Sequence, residues 1–214
     1  MRGKGDGILD ELFTRRLELA ACAAQVREAR AEMATCFAAG GKLLVCGNGG
    51  SAADGEHVVG ELMKGFRLKR PIGPAKVEAL KRACPADWKT YAEALQEALP
   101  AISLAGHPAL ATAFANDASP RLVFAQQVLG FGRPGDILMA ISTSGNSPNV
   151  LDAARVARAF GLAVVALTGS SGGALAGDSD VCVRVPADET WAVQELHESV
   201  YHAICAALEE DFFG

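Results

Sequence analysis

No two cysteines in this chain stand at CxxC spacing, although there are six, Cys22, Cys36, Cys46, Cys84, Cys182 and Cys205. A structural zinc site built from cysteine is therefore not supported, and the thiols read as small buried hydrophobes in a reducing compartment. No apolar stretch reaches the roughly 18 residues needed to span a bilayer, so no membrane partner is expected. The start, Met1-Arg-Gly-Lys-Gly-Asp6, carries charge but lacks the apolar core of a secretion signal. A cytoplasmic location is the expectation. Positive charge is not in excess: Lys and Arg number 20 against 25 Asp and Glu, a formal net charge of −5. That argues against nucleic acid as an electrostatic partner, though a local turn can still bind a small anion. Internal repeats and low-complexity tails are missing as well.

What is present is one domain's worth of core. The chain has 214 residues, 50% hydrophobic and 21% charged, which suits a single globular unit over residues 1–214. Ile8 to Ala39 holds no Pro or Gly and reads as one long helix or two, forming an N-terminal helical region over residues 1–40. Its apolar content exceeds what one small sheet should cover, so packing against another subunit is expected. Strands are expected at Leu43–Cys46, Ala101–Leu104, Ile137–Ile141, Val164–Leu167 and Val181–Val185. Helices are expected at Ser51–Met63, Ala109–Phe114, Arg121–Gly130, Ser147–Phe160, Gly173–Gly177 and Thr190–Phe213. Short, nearly continuous apolar strands alternating with helices imply a parallel sheet covered on both faces. Lys64–Leu99, with Pro71, Pro74 and Pro85, reads as an excursion with helical patches at Lys76–Arg82 and Trp88–Leu99, not a second domain. It should form a flap near the site, within an insertion spanning residues 64–100. Lys64, Lys69 and Arg70 near its start are either an anion-attracting cluster or a solvated basic surface.

Two turns carry the chemistry. Gly47-Asn-Gly-Gly-Ser51 follows the first strand, and Ser142-Thr-Ser-Gly-Asn-Ser147 follows the third. Each leads into a helical pattern, so backbone N–H groups and hydroxyls converge at a helix N-terminus, the natural seat of a phosphate. Asn48, Gly49, Gly50 and Ser51 form the first candidate turn. Ser142, Thr143, Ser144 and Ser147 place four hydroxyls in six residues, more than capping requires. His57 and Glu61, four apart on one helix, share a face. Glu61 is either a general base or a solvated carboxylate. His197 and His202 lie on the last helix near acidic residues, a pattern for acid–base or metal chemistry or for packed residues; His107 reads as a turn residue. Asn116 and Asp117 either end a helix or bond sugar hydroxyls.

Together these residues resemble the sugar isomerase (SIS) family, most closely its phosphoheptose isomerases. The resemblance rests on Gly47-Asn-Gly-Gly-Ser51, His57-x-x-x-Glu61, Asn116-Asp117, Ser142-Thr-Ser-Gly-Asn-Ser147, Leu167-Thr-Gly169 and Gln194-x-x-His197-x-x-x-x-His202, in order along most of the chain. It implies a flavodoxin-like three-layer α/β/α sandwich with a five-stranded parallel sheet. It also implies a homotetramer with sites between subunits, and isomerisation of sedoheptulose 7-phosphate to glycero-manno-heptose 7-phosphate. Glu61 then moves a proton between C1 and C2, and His202 serves the oxygens. Ser142, Thr143, Ser144 and Ser147 hold the phosphate; Asn48, Gly49, Gly50, Asn116, Asp117 and Gln194 contact substrate. Some members bind zinc through residues matching His57, Glu61, Gln194 and His202; no organic cofactor is implied. Gln194 and His202 are eight residues apart, about 12 Å along a straight helix, so either the helix begins after Gln194 or the ligands come from different subunits. The stretch between Glu61 and Asn116 is longer than in the commonest members, and Gly65 stands where many carry Arg. Two other functions fit the same fold: a non-catalytic tetramer that binds the replication initiator protein, and a sugar-phosphate sensor.

Overall fold

The computed structural model describes residues 3–214. Five strands, β1 (Leu43–Cys46), β2 (Ala101–Ser103), β3 (Ile137–Ile141), β4 (Ala163–Thr168) and β5 (Val181–Arg184), form one sheet in the order β2-β1-β3-β4-β5. All four pairings are parallel, with Leu43 opposite Ala101 and Ile137, and Ile137 opposite Ala163. β1 and β3 are buried along their whole length, so both their faces must be covered. Leu43, Val45, Ile137, Met139, Val165 and Leu167 face one core; Leu44, Cys46, Leu138, Ala140, Val164 and Ala166 face the other. The first is closed by α1 (Asp6–Arg15), α2 (Ala23–Ala38), α3 (Gly50–Met63) and α9 (Thr190–Phe213). The second is closed by α7 (Val123–Phe131) and α8 (Pro148–Ala159). This is the expected three-layer sandwich. α6 (Pro108–Asp117) buries no side chain.

The strand order reverses between β1 and β3, because β1 continues outward to β2 and β3 continues the other way to β4. Connections leaving the two strands diverge to opposite faces, which opens a crevice at their carboxyl ends. Both candidate turns lie at that crevice. At the opposite end, Asp136 ties the two strands together. It accepts from the Lys42 backbone N–H at 2.9 Å and pairs with Lys42 Nζ at 2.5 Å.

Several expectations need correction. Ile8–Ala39 is neither one helix nor two alone: α1 and α2 are joined by a 3₁₀ segment, Leu17–Cys22. Its apolar stripe of Leu9, Leu12, Leu19, Val26, Ala29 and Met33 is fully buried within its own chain. That stripe packs on α9 and the sheet, while Leu17 is left exposed. Gly173–Gly177 forms only a 3₁₀ turn at Ala174–Ala176.

The excursion contains α4 (Pro74–Ala83) and α5 (Trp88–Ala94), neither of which buries a side chain. The second helical patch ends at Ala94; Leu95 onward is extended. Its base is zipped shut: Pro71 bridges Gln96, Glu97 N–H donates to Arg70 O at 2.8 Å, and Gly65 N–H donates to Gln96 Oε1 at 2.7 Å.

Arg70 is the residue whose sequence reading fails most. It is not available to attract an anion, because it is 1% exposed and paired with buried Glu209 of α9, Nε to Oε1 at 2.8 Å. Its Nη1 and Nη2 donate to the carbonyls of Leu62 and Glu61 at 2.7 and 3.1 Å, satisfying the last turn of α3. Glu209 accepts three more bonds, from the N–H groups of Phe66, Arg67 and Leu68 at 2.7–3.0 Å. Burial alone would raise the Glu209 pKa; the backbone donors and the guanidinium outweigh it and hold the carboxyl below its ordinary value.

Removing one partner of such a pair leaves a buried charge and costs about 3–5 kcal/mol. Arg70→Met should therefore lower the unfolding free energy by about that much in denaturant titration. A parent-like value would show the pair to be energetically idle. Because the folded Glu209 pKa is depressed, its contribution is present above the ordinary glutamate pKa of about 4.3 and lost as pH falls below it.

The hairpin of α4 and α5 should be separable. Replacing Pro74–Leu95 by a short linker, while keeping Gln96 and Glu97 for the zipped base, should leave the unfolding transition cooperative and near its parent midpoint. Failure to fold would make the hairpin part of the core.

Candidate active site

β1 ends at Cys46 and β3 at Ile141, so the turns that follow them face each other across the crevice. Asn48 and Asn149 join them by two reciprocal amide bonds, each 2.9 Å. In the second turn, Ser142 and Ser147 hydroxyls lie 3.1 Å apart, and Asn146 N–H donates to Ser144 Oγ at 3.2 Å. Gly145 has φ +65°, and a β-carbon there would collide with the Gly172 carbonyl, so a side chain is excluded on two counts. The loop after β4 braces this turn through Gly169 N–H to Thr143 O at 2.9 Å. The hydroxyls of Ser142 and Ser147 thus meet at the start of α8, with Thr143 and Ser144 in the turn between them. Gly50 is needed for a different reason: a β-carbon would strike the Gln194 amide, which lies directly on the first turn of α3.

α3 and α9 pack side by side, and their facing side chains bring a cluster of titratable groups together. His57 Nε2 lies 3.1 Å from Glu61 Oε1 and 3.3 Å from His202 Nε2. His57 Nδ1 lies 3.1 Å from Tyr201 Oη, which donates to Asp54 Oδ1 at 3.4 Å. The first residue aromatic to the excursion, Phe66, packs on His202 with ring centroids 5.6 Å apart. A cleft of about 290 Å³ between the two helices is lined by Asp54, His57, Gln194, Glu198 and Tyr201. Burial first, and the charge of His57 second, lower the His202 pKa; Glu198 and Glu61 oppose this more weakly. The imidazole is therefore neutral at pH 7 and able to accept or give a proton. Burial, followed by the charges of Asp54 and Glu198, raises the Tyr201 pKa, so the phenol keeps its proton.

Not all the expected residues converge. His57, Glu61 and His202 do. Gln194 lines the same cleft, but α9 is unbroken from Thr190 to Phe213, which puts Gln194 two turns before His202 and against Gly50. Asn116 and Asp117 are the last residues of α6, exposed, and bonded to each other at 2.8 Å. His197 is fully buried on the opposite side of α9 from His202, toward the end of β4, and burial lowers its pKa to about 4. It is a packed neutral histidine, not a member of the cluster. Ser51 is buried at the head of α3.

Four residues escaped the sequence reading: Asp54, Asn149, Glu198 and Tyr201. Glu198 and Tyr201 follow Gln194 at four and seven residues, the spacing of one helix face, which was a usable clue. The donor set suits a metal ion. His57, Glu198 and His202 each offer a ligand atom, all within 4.8 Å of one another, and Glu61 Oε2 is buried without a hydrogen-bond partner. Two imidazole nitrogens with carboxylate oxygens match zinc preferences.

Comparison with known proteins gives the family. The SIS domain family matches residues 13–97 and 86–169. The phosphoheptose isomerase of Thiobacillus denitrificans is 41% identical over 181 residues, 83% of this chain and 79% of that protein. That of Rhodospirillum rubrum is 38% identical over 194 residues, 91% of this chain and 89% of that protein. Among solved structures, the phosphoheptose isomerase GmhA of Neisseria gonorrhoeae is 32% identical with a TM-score of 0.72, covering 94% of both chains. The phosphoheptose isomerase of Francisella tularensis is also 32% identical, with a TM-score of 0.74 over 95% of both. With the crevice, the paired turns and the histidine–carboxylate cluster all in place, the chain belongs to the SIS domain family.

Proposed function

We propose that this chain is a phosphosugar isomerase that interconverts ketose and aldose phosphates through an enediol, with sedoheptulose 7-phosphate and glycero-manno-heptose 7-phosphate as the pair. One observation carries the reading: two proton carriers, Glu61 on α3 and His202 on α9, flank His57 at 3.1 and 3.3 Å. The relatives named phosphoheptose isomerase support the substrate class.

The steps follow from the residue types. The hydroxyls of Ser142, Thr143, Ser144 and Ser147 and the N–H groups at the start of α8 hold the phosphate. Glu61 takes a proton from C1 of the ketose, and the electron pair shifts to form the C1–C2 double bond. His202 gives a proton to O2 as it becomes a hydroxyl and takes one from O1 as the aldehyde forms. Glu61 returns its proton to C2. A neutral His202 suits both halves of that exchange. Asn48, Gly49, Gly50, Ser51, Gln194, Asn116 and Asp117 are assigned to substrate contact. Zinc would be held by His57, Glu61 and His202, with Glu198 or Gln194 completing the set. When bound it polarises the sugar carbonyl as a Lewis acid.

The rest of the assignment is coarser. The chain is one SIS domain with the excursion as an insertion bordering the site. Homotetramer formation is supported by exposed apolar side chains at Leu17, Leu122, Leu129, Phe160 and Trp191. A cytoplasmic location is supported by six free thiols. A binding-only scaffold or sensor has no chemical use for Glu61, His57 and His202 converging, which weighs against both alternatives.

Glu61→Gln should abolish turnover of sedoheptulose 7-phosphate while phosphosugar binding persists, because the amide keeps the shape and loses the base. Exchange of the C1 or C2 proton with solvent at the parent rate would remove Glu61 from that role.

Ser144→Ala should weaken phosphosugar binding by about 1–2 kcal/mol, one lost charge-assisted hydrogen bond, and leave the far-ultraviolet circular dichroism unchanged. Calorimetric titration with substrate measures this. Unaltered affinity would move the phosphate elsewhere.

A further inference from the structure

We propose that Trp191 is the platform on which the hydroxylated carbon chain of the sugar phosphate lies, in the part of the cleft that holds neither the carbonyl nor the phosphate. The inference rests on the reading of this cleft as the substrate's and concerns a residue with no proton to move.

The cleft between α3 and α9 has a direction. His57 meets Tyr201 across it at a sequence offset of 144, and Gly50 meets Gln194 at the same offset. The two helices therefore run parallel and in register. One end of the cleft holds the histidine–carboxylate cluster. The other reaches the glycine turn that opens α3, which Asn48 and Asn149 tie to the serine turn. Trp191, Gln194, Glu195, Glu198 and Tyr201 line the cleft from α9, at the spacing of one helix face. Trp191 and Tyr201 are ten residues apart, about 15 Å along the axis. An extended seven-carbon phosphate ester is about 10 Å from C1 to phosphorus, eight bonds advancing about 1.3 Å each, and fits within that length.

Trp191 is 65% exposed, although tryptophan is highly buried on average. Among the described residues its indole has no hydrogen bond, ring contact or cation. Trp88, by contrast, has Lys81 and Lys89 at 4.7 and 5.8 Å from its ring centroid. The face of an aromatic ring is electron-rich. The C–H bonds of a sugar chain, polarised by the oxygens on the same carbons, fit against it. Beside the indole stand the Gln194 amide and the carboxylates of Glu195 and Glu198, neither of which has a hydrogen bond or ion pair among the described residues. These acceptors suit the hydroxyls of the same chain. The carboxylates repel a phosphate, which leaves that group to the serine turn. They also weigh against an apolar face of another subunit, which would strand them away from water. A cationic side chain from a second copy would suit the indole and the carboxylates. The continuity of the cleft with the histidine cluster favours the sugar.

Trp88→Phe leaves Trp191 as the only tryptophan, and Trp88 lies on α5, outside the cleft. In that background sedoheptulose 7-phosphate should shift the indole emission to shorter wavelength, as water leaves the ring, and inorganic phosphate should not. Trp191→Ala should raise KM roughly tenfold with kcat within about threefold, the pattern of lost uniform binding, and Trp191→Phe should keep KM within about threefold of the parent. Light scattering should give Trp191→Ala the parent's assembly. An emission that ignores the sugar phosphate, or answers equally to inorganic phosphate, overturns the proposal. So does a parent KM in Trp191→Ala. A smaller assembly in Trp191→Ala overturns it too, and assigns the indole to subunit contact. If sedoheptulose 7-phosphate shifts the emission but is never isomerised, the platform stands and the isomerase reading fails.

Discussion

The carboxylate of Glu209 holds the site together from below. It is buried in α9, two turns beyond His202, and accepts four hydrogen bonds: one from Arg70 and three from consecutive backbone N–H groups that follow α3. Arg70 in turn closes the last turn of α3, one residue of which is Glu61. The ion pair therefore locks the helix that carries the proposed base to the helix that carries the proposed acid. It also sets Phe66 against His202. A buried pair of this kind is expensive to desolvate, and it is tolerated because all three Arg70 nitrogens and both Glu209 oxygens find partners.

Above that lock, topology does the positioning. A sheet whose order reverses between β1 and β3 must open between their carboxyl ends, and the two hydroxyl- and glycine-rich turns are placed there by connectivity alone. The reciprocal bonds of Asn48 and Asn149 span that opening, so each turn is positioned by the other as well as by its own strand. The proposed proton chemistry is then built on a different pair of surfaces, the facing sides of α3 and α9.

Most of the fold was legible because central parallel strands are unbroken apolar runs. Leu43–Cys46 and Ile137–Ile141 were read at their observed bounds, and α9 likewise. The N-terminal helices were legible in kind but not in environment: an apolar stripe shows that something covers it, not whether the cover is α9 or another subunit. Arg70 was illegible for a plainer reason. It stands next to Lys69 in a basic stretch, and the partner that buries it is 139 residues away. Within the site, His57, Glu61 and His202 were legible from helix spacing and family resemblance. His197 was left open between a packed and a chemical role; it is packed, because a histidine five residues before His202 lies on a different face of the same helix. Tyr201 and Asp54 carry no motif; only the approach of two helices gives them a role.

The capping of α3 by Arg70 has an electrostatic consequence for Glu61. The aligned peptide dipoles of a helix leave about half a negative charge at its carboxyl end. Glu61 sits in that last turn, two residues before Met63, where such a field opposes a second negative charge. Arg70 donates to the very carbonyls of Glu61 and Leu62 that express the field, so those carbonyls are satisfied even though its charge is balanced by Glu209. A carboxylate can then be stationed at the wrong end of a helix, with Lys64 Nζ 3.8 Å from Glu61 Oε2 as the cation on the outer side.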